Sequence, residues 1–176
     1  MNMKPVSKRK TNKTVLIVGE GDTEKAFLDR LKALYVARDS GVSAKVLNAH
    51  GGSPEYIVEF AIRQLKQADY QLVAVLMDTD VPWSQQVRAM VASKKIVLVG
   101  AYPCCDGLLL QILGQPVPDQ SDRCKEALAK VLGGKATVPE LLAKHLSKEL
   151  LEKQHAHVAA LDELLTILSG VRPERP

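Results

Sequence analysis

The chain has 176 residues, a formal net charge of +4, and a composition that is 46% hydrophobic and 25% charged. This length and apolar content are enough to bury a substantial core, and they favour a single domain. The longest apolar stretches are far shorter than the ~20 residues that span a bilayer, and residues 1–13 lack the apolar region of a secretory signal. We therefore expect a cytoplasmic protein that has no membrane partner.

Residues 1–13 form a basic segment that we expect to be a flexible arm. The segment contains no carboxylate, and its cationic side chains are Lys4, Lys8, Arg9, Lys10 and Lys13. These residues account for the positive net charge, so the rest of the chain is close to neutral. Cations that neutralise phosphates release condensed counterions, and we predict that Lys8, Arg9, Lys10 and Lys13 contact nucleic acid. A solubilising tail is the alternative interpretation.

Short apolar runs alternate with helical patterns between residues 14 and 100. We predict strands at residues 14–18, 43–47, 72–77 and 95–100. Helices are predicted between them, at residues 22–34, 54–66 and 82–92. Asp22 and Ser53 are candidate N-caps for the first two helices. The alternation indicates right-handed βαβ units in a mostly parallel, Rossmann-like α/β sheet.

The pattern becomes helical after Gly100. A loop with two prolines occupies residues 114–119, and residues 121–132 and 138–168 are rich in Leu, Ala, Lys and Glu at helical spacing. We expect this part to pack against the sheet or against a partner. The predicted division is an arm at 1–13, an α/β domain at 14–113, a helical extension at 114–170 and a frayed tail at 171–176.

Acidic residues follow two of the predicted strands. Glu20, which lies between two glycines, follows the first strand, and Asp78 and Asp80 follow the third. In open parallel sheets ligands bind at the carboxyl ends of the strands, and strands one and three are commonly neighbours. Converging carboxylates repel one another unless a cation lies between them, and hard oxygen ligands suit Mg²⁺. The sequence therefore predicts a magnesium-binding acidic cluster at this edge.

Each of these acidic residues also has a purely structural interpretation. Asp80 is a candidate cap for the third helix, Asp78 a candidate turn residue, and Glu20 a candidate solvated loop residue. The glycines on both sides of Glu20 favour a ligand site, because they let the backbone approach a ligand closely. His50, beside two glycines after the second strand, is a further candidate for contacting a phosphate.

The cysteines do not indicate a disulfide framework. Cys104 and Cys105 are adjacent, Cys124 stands alone, and no C-x-x-C motif is present. We predict that these thiols are reduced and that they serve packing rather than nucleophilic catalysis.

Two segments resemble the motifs of Toprim domains. Residues 15–25, Val-Leu-Ile-Val-Gly-Glu-Gly-Asp-Thr-Glu-Lys, resemble the first Toprim motif, and residues 76–80, Leu-Met-Asp-Thr-Asp, resemble the second, an aspartate pair. The order and separation of the motifs also fit. Residues 103–110, Pro-Cys-Cys-Asp-Gly-Leu-Leu-Leu, are similar to a later run of the small RloB-like branch of that superfamily. The resemblance covers about residues 14–113.

The resemblance implies a Toprim-like sheet of four parallel strands and a role for each acidic residue. Glu20 would act as general acid or base, and Asp78 and Asp80 would hold Mg²⁺, with Mn²⁺ as a substitute. A second ion would be held by Glu24 or Asp106.

The chain departs from the RloB-like pattern at two neighbouring positions. Asp106 stands where a glutamate beside an aromatic residue is expected, and Gly107 stands where a bulky residue is common. These departures bear on whether a second metal ion is held.

The activity that the resemblance implies is phosphodiester chemistry on DNA or RNA. A Mg²⁺-dependent nuclease in phage defence or a restriction-linked system is the first hypothesis. The alternative is a non-catalytic nucleic-acid-binding or regulatory subunit that keeps the Toprim fold and works with a partner protein such as an ATPase. The sequence leaves the oligomeric state and the choice between DNA and RNA open.

Overall fold

A computed structural model of the chain describes residues 12–175, which form an α/β fold around a four-stranded, all-parallel sheet. The strands are β1 (Lys13–Gly19), β2 (Val42–Asn48), β3 (Leu72–Asp78) and β4 (Val97–Ala101). They lie in the order β2-β1-β3-β4, and every neighbouring pair is parallel. The predicted fold class is confirmed, and β1 lies beside β3 as expected.

Eight helices flank the sheet within the described residues. They are α1 (Asp22–Tyr35), α2 (Pro54–Leu65), α3 (Gln85–Lys94), α4 (Cys105–Ile112), α5 (Ser121–Leu132), α6 (Pro139–His145), α7 (Lys148–Gln154) and α8 (Ala159–Leu168). None of these helices has the length and apolar character that crossing a bilayer requires.

The core consists of two apolar layers, one on each face of the sheet. Successive strand residues point to opposite faces, so Val15 and Ile17 pack with α1, α4 and the later helices, while Leu16 and Val18 pack with α2 and α3. All four side chains are fully buried. Both faces are covered, which explains why β1 and β3 read as uninterrupted apolar runs.

The third helix begins later than predicted. The sequence pattern placed its start at Pro82, whereas α3 begins at Gln85 behind the N-cap Ser84, whose Oγ accepts from the Val87 amide at 3.1 Å. Residues before it stay in a loop because Trp83 Nε1 donates to the backbone oxygen of Asp78 at 3.1 Å. That contact ties the loop to the end of β3.

The helical extension packs against the sheet domain. The stretch predicted to be helical at 138–168 consists of α6, α7 and α8, with breaks at Leu146 and Val158, which are both buried. Arg30 on α1 donates from Nε and Nη2 to the Leu146 oxygen, at 3.0 and 2.8 Å. These hydrogen bonds satisfy the carbonyl of Leu146, which follows the last residue of α6, and they tie the extension to α1.

The structure differs from the prediction at both terminal segments, the arm at 1–13 and the tail at 171–176. Lys13 already belongs to β1, where it pairs with Val42. The tail is docked rather than frayed, because Arg172 Nη1 donates to the Lys95 oxygen at 2.6 Å and Arg175 donates to the Leu98 oxygen. Residues of the tail therefore lie against β4, which is one of the two edge strands of the sheet.

Candidate functional site

Glu20 and Asp78 meet at the carboxyl edge of the sheet. Glu20 follows β1 and Asp78 ends β3, and the parallel register aligns Gly19 with Leu76. The Asp78 amide donates to Oε2 of Glu20 at 2.9 Å, and the Glu20 amide donates to the Leu76 oxygen at 3.1 Å. The adjacency of β1 and β3 therefore brings together two acidic residues that are 58 positions apart in the sequence.

Glu24 is the third carboxylate of this group and is only 5% exposed. Its Oε2 accepts from the Gly21 amide at 2.9 Å and so caps the first backbone donor of α1; Gly21 has no side chain to return the bond. Its carboxyl group lies close enough to that of Asp78 for repulsion between them to raise the pKa of Asp78. A Cβ on Gly19 would lie 2.7 Å from the Glu24 Cβ, so this close approach requires a glycine in β1.

The turn that carries Asp78 is held between β4 and α4. Asp78 Oδ1 accepts from the Cys105 amide at 2.9 Å, at the N-terminus of α4. The Thr79 amide donates to the oxygens of Ala101 and Pro103, at 3.0 and 3.1 Å. The helix dipole stabilises a carboxylate at a helix N-terminus, and this partly offsets the free-energy cost of burying the Asp78 charge.

Burial and mutual repulsion raise the pKa of these carboxyl groups. Burial is the largest cause for Asp78, and repulsion from Glu24 and Glu20 adds to it. Burial also raises the pKa of Glu20, with repulsion from Asp80 as a smaller cause, and it raises the pKa of Glu24. The ion pairs within residues 12–175 are Lys25–Asp29 and Arg175–Glu163, and His155 Nδ1 lies 2.9 Å from Asp162 Oδ1. None of the described cationic side chains is therefore ion-paired with this group.

Asp80 lies apart from the other three carboxylates. Its Oδ2 accepts from Ser121 Oγ at 2.7 Å and its Oδ1 accepts from the Val81 amide at 2.9 Å. Its side chain faces the start of α5 and solvent, although its charge still reaches Glu20. The structure thus brings Asp80 to the same edge but not into the close group of Glu20, Glu24 and Asp78.

A cavity of about 510 Å³ opens in front of the acidic group. Glu20, Glu24, Asp78 and Asp106 line it on the side of the sheet domain. Burial raises the pKa of Asp106, and the nearby Lys125 ammonium offsets part of that rise. The extension supplies the other side, with Lys125, Leu128, Ala129, Lys135, Ala136 and Thr137.

The departure from the RloB-like pattern at Gly107 has a steric explanation. A Cβ at this position would lie 2.6 Å from Pro103 Cδ and 2.7 Å from the Tyr102 oxygen. No side chain fits there unless the turn between β4 and α4 shifts. The small residue thus allows α4 to start close to the turn, which sets the position of its neighbour Asp106.

His50 lies near the site, and its backbone amide makes a hydrogen bond to the end of β2. It has a left-handed φ of 61°, and its amide donates to Asn48 Oδ1 at 2.7 Å. The following Gly51 lines the cavity, and its amide donates to the backbone carbonyl oxygen of Glu20 at 2.7 Å. The imidazole is exposed, and its contact with a phosphate stays a prediction.

Lys13 is the one predicted nucleic-acid-binding residue of the basic segment that lies within residues 12–175, and it is not at this edge of the sheet. Lys13 starts β1 and Glu20 follows its end, so the two lie roughly 20 Å apart at ~3.3 Å per strand residue. Lys8, Arg9 and Lys10 lie outside the described residues. Their binding of nucleic acid stays a prediction.

Sequence reasoning missed Asn48, which ends β2. Its Nδ2 donates to Asp22 Oδ1 at 2.7 Å, and this bond joins β2 to the first turn of α1. Asp22 is therefore the first residue of α1 and not its cap; Gly21 is the N-cap. An asparagine directly after an apolar strand was the available signal, but its partner is set by tertiary structure.

The cysteines lie in the core, in agreement with the predicted packing role. Cys104, Cys105 and Cys124 are at most 3% exposed. Burial raises the pKa of Cys104 to about 12 and also raises the pKa of Cys105 well above its ordinary value. A buried, protonated thiol is a poor nucleophile.

The donor set at this edge fits Mg²⁺. Among residues 12–175, no three His, Cys, Asp or Glu side chains are arranged to enclose a metal ion. Mg²⁺ keeps several of its waters and commonly takes only one or two carboxylates together with substrate phosphates. Unpaired carboxylates beside an open cavity supply this kind of partial coordination.

Comparison of the chain with protein-family models, with curated proteins and with solved structures finds no match. A four-stranded parallel sheet is shared by many classes of α/β protein and does not by itself assign an activity. The Toprim and RloB-like assignment therefore remains a prediction from the sequence motifs.

Proposed function

We propose that the chain is a Mg²⁺-dependent, Toprim-type protein that processes phosphodiester bonds in DNA or RNA, in phage defence or a restriction-linked system. The observation that carries the proposal is the meeting of Glu20, Glu24 and Asp78 beside an open cavity, with no described cationic side chain ion-paired to them. Such a group gains stability when a divalent cation neutralises it.

Each acidic residue has a proposed task. Asp78 and Asp80 are the proposed metal ligands, and Asp80 would have to exchange its contact with Ser121 for the ion. Glu24 or Asp106 is available for a second ion. Glu20 lines the cavity and is positioned by the Asp78 amide, which suits a general acid or base that must reach a substrate oxygen. When bound, Mg²⁺ supplies charge stabilisation at the phosphate and a more acidic water.

The second candidate function is a non-catalytic subunit that binds nucleic acid and works with a partner such as an ATPase. The hydrogen bond between Asp80 and Ser121 favours it, because one of the two predicted metal ligands is already engaged with α5. In that case the acidic group would hold one ion as a structural or regulatory element.

Mg²⁺ binding can be tested by thermal unfolding without knowledge of the substrate. We expect the melting temperature to rise by roughly 5–10 °C at a Mg²⁺ concentration about 100 times Kd. Asp78→Asn should abolish this rise, because it removes a ligand charge while its amide oxygen can still accept from Cys105. Asp39→Asn, at an exposed loop position, is the matched control and should keep the response. An absent response in the parent protein contradicts the proposal.

Catalysis is tested separately by incubation with plasmid, single-stranded DNA and structured RNA in Mg²⁺ or Mn²⁺. The parent protein should cleave at least one of these substrates. Glu20→Gln should lose cleavage and keep the Mg²⁺ response, because Gln can still accept from the Asp78 amide. A Mg²⁺ response without cleavage of any substrate supports the non-catalytic subunit instead.

A further inference from the structure

We propose that the helical extension supplies the phosphate-binding wall of the site, where Lys125 and Lys135 bind a phosphate of single-stranded nucleic acid opposite the carboxylates. This inference rests on the proposed function, since it names the substrate class of the same cavity. It assigns a binding role to a part of the chain that lies beyond the Toprim-like motifs.

The cavity has walls of opposite charge. Glu20, Asp78 and Asp106 line one side, and Lys125 and Lys135 line the other. A phosphate held between a carboxylate-bound cation and two ammonium groups would contact positive charge on both sides. Lysine ammonium groups are common phosphate ligands, because each is a compact charge with three donors.

The chain path explains how two lysines ten positions apart reach one cavity. Lys125 and Ala129 are four residues apart on α5 and share the helix face that lines the cavity. Gly133 ends α5 in the left-handed conformation, with a φ of 76°, and the Gly134 amide donates to the Ala129 oxygen at 3.0 Å. This reversal returns Lys135 to the same side.

The two ammonium groups are available to a ligand. Both lysines are exposed, and neither belongs to an ion pair within residues 12–175. Lys125 is close enough to Asp106 to lower its pKa in part, so its charge reaches into the cavity. The neighbouring Ala129 and Ala136 are small, and they leave the space between the walls open.

The size of the cavity favours a single strand over a duplex. About 510 Å³ lies within the range of ~300–1,000 Å³ that encloses a small ligand, and thus one nucleotide unit. A duplex presents its phosphates on the outside of a broad cylinder and cannot enter a space between two walls. A strand end or an unpaired nucleotide can enter it.

The test compares nucleic-acid binding by charge-neutralised variants in a Glu20→Gln background, which prevents cleavage. The probe is a short fluorescent single-stranded oligonucleotide, titrated in Mg²⁺ at several salt concentrations. For Lys125→Gln with Lys135→Gln we expect about a tenfold loss of affinity. The slope of log affinity against log salt should fall by about 0.7, because the two lysines neutralise one phosphate of a single strand. Lys130→Gln, on the same helix but outside the cavity, is the control and should change neither quantity.

Further measurements separate this inference from the proposed function. The double variant should keep the Mg²⁺-dependent rise in melting temperature, and its affinity for a blunt duplex should be unchanged. Equal affinities and salt slopes for parent and double variant overturn the inference, as does an equal loss of duplex binding. The double variant could lose affinity for the single strand while the parent protein shows no rise in melting temperature with Mg²⁺. That result would overturn the proposed function and leave the role of the two lysines intact.

Discussion

Single residues at the carboxyl edge combine structural and chemical tasks. Glu24 accepts from the Gly21 amide at the start of α1 and also adds its charge to the acidic group. Gly19 and Gly107 carry no functional group, but each leaves the space into which a neighbour must fit. Glycines without any reactive group therefore help to fix the positions of the carboxylates.

Gly107→Ala tests this steric requirement. We expect a loss of about 1–3 kcal/mol in the free energy of unfolding, because the new methyl group would overlap Pro103 Cδ and the Tyr102 oxygen. Gly134→Ala is the matched control, with an expected change within about 0.5 kcal/mol. Its methyl group would meet only the end of the Leu141 side chain, which can rotate away. Urea unfolding measures both values, and equal stabilities would refute the steric account.

At the scale of the elements, residues 171–175 lie along the free edge of β4. It forms one edge of the sheet, and its other neighbour is β3. Arg172 and Arg175 donate to backbone oxygens of Lys95 and Leu98. An uncovered strand edge is a template for pairing with another chain, so this contact protects the sheet.

Deletion of residues 171–176 should therefore uncover β4. We expect a lower melting temperature and concentration-dependent self-association, measured by light scattering after gel filtration. Replacement of Arg172 and Arg175 by Ala in the full chain should reproduce both effects, since it removes the same donors. A truncated protein that stays monomeric at every concentration would show that the tail is not a protective element.

In the molecule as a whole, the sheet domain and the extension share one core. Cys105 on α4 and Cys124 on α5 lie in the same apolar cluster as Ile17 of β1 and Leu164 of α8. The extension is therefore expected to unfold together with the sheet rather than as an independent unit.

The reactivity of the thiols reports on this shared core. At about pH 8 we expect the native protein to react very slowly with a thiol reagent, because burial excludes the reagent and raises the pKa of Cys104 to about 12. Unfolding restores an ordinary thiol pKa, so the thiolate fraction rises on unfolding and all three cysteines should react. In a urea titration, labelling should follow the loss of circular dichroism. Labelling of Cys124 at lower urea would show that the extension detaches first.

The sequence by itself determined the secondary structure that follows from local periodicity. All four strands and the α1, α2 and α5 helices were predictable, since apolar runs and helical spacing reflect contacts that each element makes on its own faces. The start of α3 was not predictable, because Trp83 holds the preceding loop through a bond to Asp78. The docking of the tail was also not predictable, since its backbone partners Lys95 and Leu98 lie 77 positions earlier in the chain.

Part of the candidate site was also predictable. Glu20 and Asp78 follow strands that a parallel sheet places side by side, so their meeting could be expected from chain order. Only the tertiary structure decided that Glu24 joins them, that Asp80 turns to Ser121, and that the extension lines the cavity. Those outcomes depend on side-chain directions and on the packing of distant helices, which no local spacing encodes.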